Sequence, residues 1–175
     1  MQNEAFFSST DAGVARDTTP KTVEVATLAD VPRLVEMGEQ LHLISDHRRF
    51  SYSPKKVATL LSSLISNPET GVVFVTRQRG RVVGAFAGGL APQWYSEELV
   101  GFDFSFFIEP GARTGMRSAA LIQAFVIWCT RRGAREVRVG ITTGIEVEGT
   151  SRLYRSLGFE DGGVGFSKEV NSARH

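Results

Sequence analysis

The 175-residue chain is long enough for one domain with its own hydrophobic core and too short for two ordinary domains. Its 20 Lys and Arg residues against 19 Asp and Glu leave the net charge near zero, so no basic excess indicates a nucleic-acid partner or a membrane surface. The single cysteine, Cys129, excludes an internal disulfide and any cysteine-based zinc cluster, and it favours a reducing compartment such as the cytoplasm.

Residues 1–21 form a polar N-terminal stretch. They lack a basic start followed by an apolar run, so we expect a flexible lead-in rather than a signal peptide or an anchor. No later segment approaches the ~20 uninterrupted apolar residues that would span a bilayer. We therefore expect a soluble protein in which residues 22–175 form a single domain.

The first predicted elements are a strand and two helices. Residues 22–26 alternate like a short strand. Asp30 then offers an N-cap, and Pro32 lies near the first turn of a helix that ends at the polar segment 45–49. A second apolar stripe at helical spacing predicts another helix over 53–68.

Three strand-like runs follow these helices. Residues 71–76 and 81–87 flank a turn at 78–80, which predicts an antiparallel hairpin. Residues 99–108 form an aromatic strand, the most β-prone stretch of the chain.

The remaining sequence predicts two further helices and three further strands. A helix covers 117–132, a strand 137–141, a shorter helix 148–157, and a last strand pair joins 159–160 to 164–170. The order predicts an α/β (α+β) fold, in which a mixed, mostly antiparallel central sheet of about seven strands has helices on both faces.

The segment from Phe107 to Leu121 joins a strand, a tight loop and a helix start. Amides at a helix N-terminus have no intrahelical acceptor and lie at the positive end of the helix dipole, so they can bind a diphosphate. Arg113 and Arg117 could add charge-assisted hydrogen bonds. The alternative is an ordinary strand-to-helix turn with surface arginines.

Three blocks carry a resemblance to a known family: this loop, the segment Val137-Arg-Val-Gly-Ile-Thr-Thr-Gly144, and Leu153-Tyr-Arg-Ser-Leu-Gly-Phe159. Together with the element order they resemble the GNAT superfamily of N-acetyltransferases over residues 23–168. The resemblance implies the GNAT fold and acetyl-CoA as cosubstrate. The combination of Thr142-Thr-Gly144 and Thr150-Ser-Arg-Leu-Tyr154 with this glycine-poor loop further resembles a GNAT subgroup common in phage genomes, which implies a viral protein that acts in a bacterial cytoplasm.

The resemblance also implies which residues bind the coenzyme: the loop would hold the pyrophosphate, and strand amides would contact the pantetheine or the thioester oxygen. The family loop has small residues where Met116 and Ser118 stand, and an asparagine common in the family is replaced near Val147. The implied coenzyme-binding residues are Phe107, Ile108, Arg113, Thr114, Gly115, Met116, Arg117 and Ser118.

Two residues are candidates for proton transfer. The resemblance implies that Tyr154 protonates the departing thiolate, which a phenol can do because its pKa of ~10 keeps it protonated at neutral pH. Asp103 interrupts the aromatic strand and could deprotonate the amine, as could a water chain. The alternatives are a core aromatic at Tyr154 and a solvent-facing Asp103.

Other chemistry-bearing residues favour simpler roles. His42, Asp46 and His47 lack a further ligand at helical spacing, so we predict no metal. Cys129 has no evident activating base and suits a buried position. The Trp94-Tyr95 pair could cover an acceptor pocket, contact a partner, or simply pack.

The sequence therefore predicts an N-acetyltransferase that transfers an acetyl group directly from acetyl-CoA to an amine of a small molecule or a protein. We expect no nucleic acid and no membrane as partners, and we leave a homodimer open. The alternative is a GNAT-fold binding or interaction protein that has lost catalysis.

Overall fold

The computed structural model describes residues 22–168 and 170. The predicted lead-in over 1–21 and the last part of the predicted domain, 171–175, lie outside the described residues. Besides three short 3-10 helices, the described chain contains four α-helices and five strands: β1 Glu24–Val25, α1 Val31–Ile44, α2 Pro54–Ser66, β2 Gly71–Gln78, β3 Arg81–Gln93, β4 Ser96–Ile108, α3 Gly115–Arg131, β5 Glu136–Arg138 and α4 Val147–Ser156.

The strands form one sheet in the order β1-β2-β3-β4-β5. The first three pairings are antiparallel, and β5 joins β4 in parallel. The predicted hairpin closes through Arg79 and Gly80, whose positive φ values of 51° and 79° suit a two-residue turn between twisted strands. The mixed, mostly antiparallel sheet is as predicted.

The predicted number of about seven strands is wrong, because the last strand pair is missing. Residues 159–160 and the described part of 164–170 contain no strand. Phe166 is 94% exposed, and Gly163 has a φ of 135°. Glycines at 162, 163 and 165 raise the entropic cost of fixing an extended backbone, and this cost outweighs the apolar alternation that suggested a strand.

Helices cover both faces of the sheet, as predicted. On one face α3 buries Phe125 against Phe86, with ring centroids 4.6 Å apart. On the other face α1 and α2 pack Leu34 and Leu61 over Val73 of β2. The sheet is therefore a central layer with a separate apolar core on each side.

The entry to α1 differs from the predicted cap. The carboxylate of Asp30 does not cap α1; it accepts hydrogen bonds from Thr27 N at 2.9 Å and from the Arg77 guanidinium at 2.9 and 3.0 Å. Burial alone would raise the pKa of Asp30, but these hydrogen bonds hold it below its usual value. Asp30 thus fixes the start of α1 to β2.

The lone cysteine is fully buried in α3. Burial raises the pKa of the Cys129 thiol to about 12, so the thiol is protonated at neutral pH. Gly101 of β4 lies directly beneath it, since a Cβ at that position would be 2.5 Å from Cys129 Sγ.

Among the described residues, none of the helices is long and apolar enough to cross a membrane.

Candidate active site

The sheet opens between β4 and β5. Their pairing ends at Phe102 and Arg138, whereas β4 continues to Ile108 with no strand beside that edge among the described residues. Asp103 is the first residue beyond the paired region, and its carboxylate accepts a hydrogen bond from Gly140 N at 3.1 Å. The Asp103 side chain thus connects β4 to the segment after β5, just beyond the point where the backbone pairing of these strands ends.

A β-bulge in β4 shapes the same place. Ala87 of β3 pairs with Ser105, and Gly88 pairs with Asp103, which leaves Phe104 as an extra residue. A bulge bends its strand and changes the direction of neighbouring side chains. The bulge therefore lies next to the carboxylate that sequence analysis selected as a base.

A cavity of about 580 Å³ lies at this opening. Its walls come from β4, the start of α3, the segment before α4, and the facing sides of α1 and α2. Most of the predicted site residues line it: Asp103, Phe107, Ile108, Arg113, Thr114, Gly115, Ser118 and Tyr154. Met116 and Arg117 do not.

The start of α3 has free backbone donors. Thr114 Oγ1 accepts from Arg117 N at 3.2 Å, and Thr114 O accepts from Ser118 N at 3.1 Å. The N–H groups of Gly115 and Met116 have no acceptor within the described part of the chain. They lie at the positive end of a 17-residue helix, which is a favourable position for an anion.

The side chains of Met116 and Arg117 point away from the cavity. Met116 is 84% exposed, so its bulk does not narrow the approach to the helix start. Arg117 Nη1 donates to Ala112 O at 2.7 Å and to Gln78 Oε1 at 3.4 Å. Arg117 therefore braces the loop, and of the two predicted phosphate arginines only Arg113 faces the cavity.

Arg113 already has an anionic partner, which the sequence did not indicate. Its Nη1 lies 2.8 Å from Glu146 Oε1, and both residues line the cavity. Glu146 adopts a left-handed backbone conformation with a φ of 44°, a strained state for a residue other than glycine. A ligand phosphate at Arg113 would have to displace this carboxylate.

The free edge of β4 presents one of the two predicted strand amides. Glu109 N donates to Val83 O of β3 at 2.8 Å, and successive N–H groups of a strand point to opposite edges. The Phe107 N–H is therefore directed towards β3, whereas the Ile108 N–H is directed towards the opening. Only the Ile108 amide is placed to bind a ligand oxygen.

Tyr154 and Asp103 face the same cavity. The Tyr154 ring is buried and packs on Phe159 with centroids 5.4 Å apart, and its hydroxyl has no hydrogen-bond partner among the described residues. Burial raises the pKa of Tyr154, and the charge of Asp103 raises it further. Burial also raises the pKa of Asp103, and its hydrogen bond from Gly140 opposes that shift. A protonated phenol and a carboxylate thus share one space.

Comparison with known proteins gives no match to a family model or to a curated protein. Solved structures do match. An integron cassette protein from the mobile metagenome of Cole Harbour Salt Marsh has a TM-score of 0.68 and 22% identity, covering 87% of this chain and 92% of that one.

Two aminoglycoside acetyltransferases match as well. One, from an uncultured soil metagenomic sample in complex with sisomicin, has a TM-score of 0.65 and 20% identity, covering 85% of this chain and 95% of that one. The other, an aminoglycoside antibiotic 6'-N-acetyltransferase from Acinetobacter haemolyticus, has a TM-score of 0.63 and 16% identity, covering 85% of this chain and 99% of that one. The chain has the GNAT acetyltransferase fold. The predicted fold class is confirmed, apart from the number of strands.

In this GNAT fold, α1 and the turn after it also contribute side chains to the cavity. His42 and His47 line the cavity, whereas Glu36, Glu39 and Asp46 do not. The His42 ring contacts Tyr52 with centroids 5.3 Å apart. Tyr52 also lines the cavity and was missed, because nothing in its local sequence marks it.

The turn after α1 is tied to the open segment after β5. His47 Nε2 lies 3.3 Å from Thr142 Oγ1, and Asp46 N donates to Thr143 O at 2.9 Å. These bonds hold the cavity wall beyond the end of β5. Within the described ranges, no three His, Cys, Asp or Glu side chains are grouped to hold a metal ion.

Trp94 and Tyr95 form the turn between β3 and β4 and do not line the cavity. Trp94 is 94% exposed, and its ring meets Tyr95 edge to face at 5.2 Å. The pair is therefore not a cover for this cavity, and a partner contact stays a prediction.

Proposed function

We propose that the chain is an acetyl-CoA-dependent N-acetyltransferase that transfers the acetyl group directly to an amine. The observation that supports this best is the shared cavity, in which free amides at the start of α3, the carboxylate of Asp103 and the phenol of Tyr154 meet at the opening of the sheet. The GNAT fold and the acetyltransferases that share it support the same class of reaction.

In this proposal the coenzyme diphosphate binds at the N–H groups of Gly115 and Met116. Arg113 exchanges its ion pair with Glu146 for a phosphate oxygen, a charge-assisted contact. The pantetheine arm enters where β4 and β5 separate, and Ile108 N–H donates to the thioester oxygen. Arg117 takes no direct part and holds the loop in shape.

The chemical step uses two side chains. Asp103 accepts a proton from the acceptor ammonium, directly or through water, because only a neutral amine is nucleophilic. The amine nitrogen forms a bond to the thioester carbon, and Ile108 N–H holds the oxyanion. The bond from carbon to sulfur then breaks, and the nitrogen loses its second proton to water as the amide forms. Tyr154 then gives its proton to the departing thiolate, and proton exchange with solvent resets both groups.

Cys129 has no role in this reaction. Its thiol is buried and its pKa is raised to about 12, so it supplies no thiolate for an acyl-enzyme intermediate. Transfer then takes place within a complex of both substrates. A free thiol also suits the reducing cytoplasm that we propose as the compartment.

The second candidate is a GNAT-fold binding protein without turnover. The ion pair of Arg113 with Glu146 favours it, because the cation that faces the cavity is already neutralised. The amine-bearing partner, a small molecule or a protein, would then be bound and left unmodified.

Calorimetric titration with acetyl-CoA, together with an assay of thiol release over a panel of amines, tests the two candidates. An enzyme binds acetyl-CoA and releases thiol only when an acceptor amine is present. Binding without amine-dependent thiol release would support the binding protein. If the protein does not bind acetyl-CoA, it is neither an acetyl-CoA-dependent enzyme nor a binding protein that has kept the coenzyme.

A further inference from the structure

The side of the cavity formed by the two N-terminal helices is almost entirely apolar. Ala85 and Ala87 of β3 lie opposite these helices, and their small side chains leave room above the sheet. The helices contribute Leu34, Met37, Leu41, Val57, Leu60 and Leu61.

The polar groups on this side are already engaged or shielded. The Tyr52 hydroxyl donates to Val35 O at 2.8 Å, and His47 Nε2 lies 3.3 Å from Thr142 Oγ1. Both ring nitrogens of His42 are buried and have no hydrogen-bond partner among the described residues, so the ring presents mainly its carbon atoms to the cavity. A ligand on this side therefore meets mainly carbon atoms.

The charged residues of the cavity also restrict which ligands can bind, because few of them can pair with a cation. Of the described residues that line it, the only carboxylates are Asp103 and Glu146, and Glu146 is paired with Arg113 at 2.8 Å. Neither carboxylate comes from α1 or α2, so the wall that these helices form offers no carboxylate to a ligand cation, even after the coenzyme has displaced Glu146 from Arg113. A second ammonium on the ligand would be buried against apolar walls with no partner, which is strongly unfavourable.

We propose that the acceptor is a small monoamine with an apolar body. Its amine lies at Asp103, and its body lies against the wall formed by α1 and α2. The acceptor is small because the cavity of about 580 Å³ also holds the acetyl end of the coenzyme. This inference rests on the proposed function and names its substrate class, which differs from the polycationic aminoglycosides of two proteins with the same fold.

A matched pair of ligands tests the inference. Hexylamine and 1,5-diaminopentane have the same length, but an ammonium replaces the terminal methyl group in the diamine. We expect hexylamine to give a kcat/KM at least about tenfold higher, because the second ammonium of the diamine has no partner. Along propylamine, butylamine and pentylamine, each added methylene should raise kcat/KM about fourfold.

A pair of variants tests the wall itself. Leu60 lines the cavity on α2 and is 37% exposed, so Leu60→Glu places a carboxylate there with little risk to folding. It should reduce or reverse the preference for hexylamine over the diamine. Thr59→Glu adds the same charge at the neighbouring exposed position outside the cavity, and it should leave the preference unchanged. Circular dichroism melts confirm that both variants fold.

The outcomes separate this inference from the proposed function. Equal or better acetylation of the diamine, of an aminoglycoside or of lysine peptides would overturn the apolar acceptor and leave the acetyltransferase in place. If acetyl-CoA binds but no amine reacts, hexylamine and the diamine are titrated separately into the complex with coenzyme, and their Kd values are compared. Equal Kd values for the two amines would overturn the inference. Absence of acetyl-CoA binding overturns the proposed function itself.

Discussion

Replacing Arg113 by alanine should weaken acetyl-CoA binding, and the structure sets the size of the effect. A hydrogen bond to a charged group contributes about 1.5–3 kcal/mol. The coenzyme must first break the pair with Glu146, and an ion pair of this exposure is worth about 0.2–1 kcal/mol. The net loss of about 0.5–2.8 kcal/mol corresponds to a twofold to hundredfold higher Kd.

The partner of Arg113 predicts the opposite effect. Glu146→Gln removes the competing charge and should lower the Kd for acetyl-CoA by up to about fivefold, since the pair no longer has to be broken. In the Arg113→Ala background the same change should have no effect. Arg117→Ala is the matched control, because Arg117 contacts the loop rather than the cavity.

Calorimetric titration of acetyl-CoA into the wild type and the four variants measures these affinities, after thermal melts establish that each is folded. Equal affinity of the wild type and Arg113→Ala would remove Arg113 from the coenzyme site. Weaker binding by Glu146→Gln would show that the carboxylate supports the site rather than competing with the phosphate.

Three further variants test the site and the core. Tyr154→Phe should lower turnover at least tenfold at saturating acetyl-CoA, because a positioned general acid contributes ~10²–10⁴-fold. Its melting temperature should be unchanged, since the hydroxyl has no hydrogen-bond partner in the described part of the chain and the ring still packs on Phe159. Equal turnover would make Tyr154 a core aromatic. Asp103→Asn should reduce turnover most at low pH, where fewer amines are neutral, and a loss independent of pH would contradict a role as base. Burial raises the folded-state pKa of Asp103, so ionisation of this carboxyl group at higher pH destabilises the folded state. Asp103→Asn should therefore be at least as stable as the wild type at pH 7. The difference in free energy of unfolding should disappear as the pH falls and Asp103 becomes protonated. Gly101→Ala should destabilise the fold by about 1–3 kcal/mol in urea titrations, because its Cβ would collide with Cys129 Sγ, and an unchanged midpoint would mean that α3 shifts freely.

Local signals in the sequence were sufficient for most of the fold. The apolar stripe that predicted a helix over 53–68 corresponds to α2, in which Pro54 is the first residue and Ser53 Oγ accepts from Lys56 N at 3.4 Å. The aromatic run over 99–108 predicted most of β4. The prediction of a last strand pair was wrong because apolar alternation takes no account of the conformational entropy that three nearby glycines would lose in a strand.

The site was less predictable because its geometry depends on contacts between distant residues. The position of Asp103 depends on the bulge at Phe104 and on Gly140, which is 37 residues away. The role of Glu146 as partner of Arg113 has no local motif. The direction of the Arg117 side chain is set by Ala112 O, a contact that spacing along the helix does not reveal.

Direct transfer of the acetyl group can be followed by mass spectrometry with isotopically labelled acetyl-CoA and a panel of primary amines that includes hexylamine, amino sugars and lysine peptides. We predict one labelled N-acetyl product for each coenzyme thiol released, no label on the intact protein, and at least a tenfold lower yield with Tyr154→Phe. Thiol release without an N-acetylated product, or label retained on the protein, would contradict direct acetyl transfer to an amine.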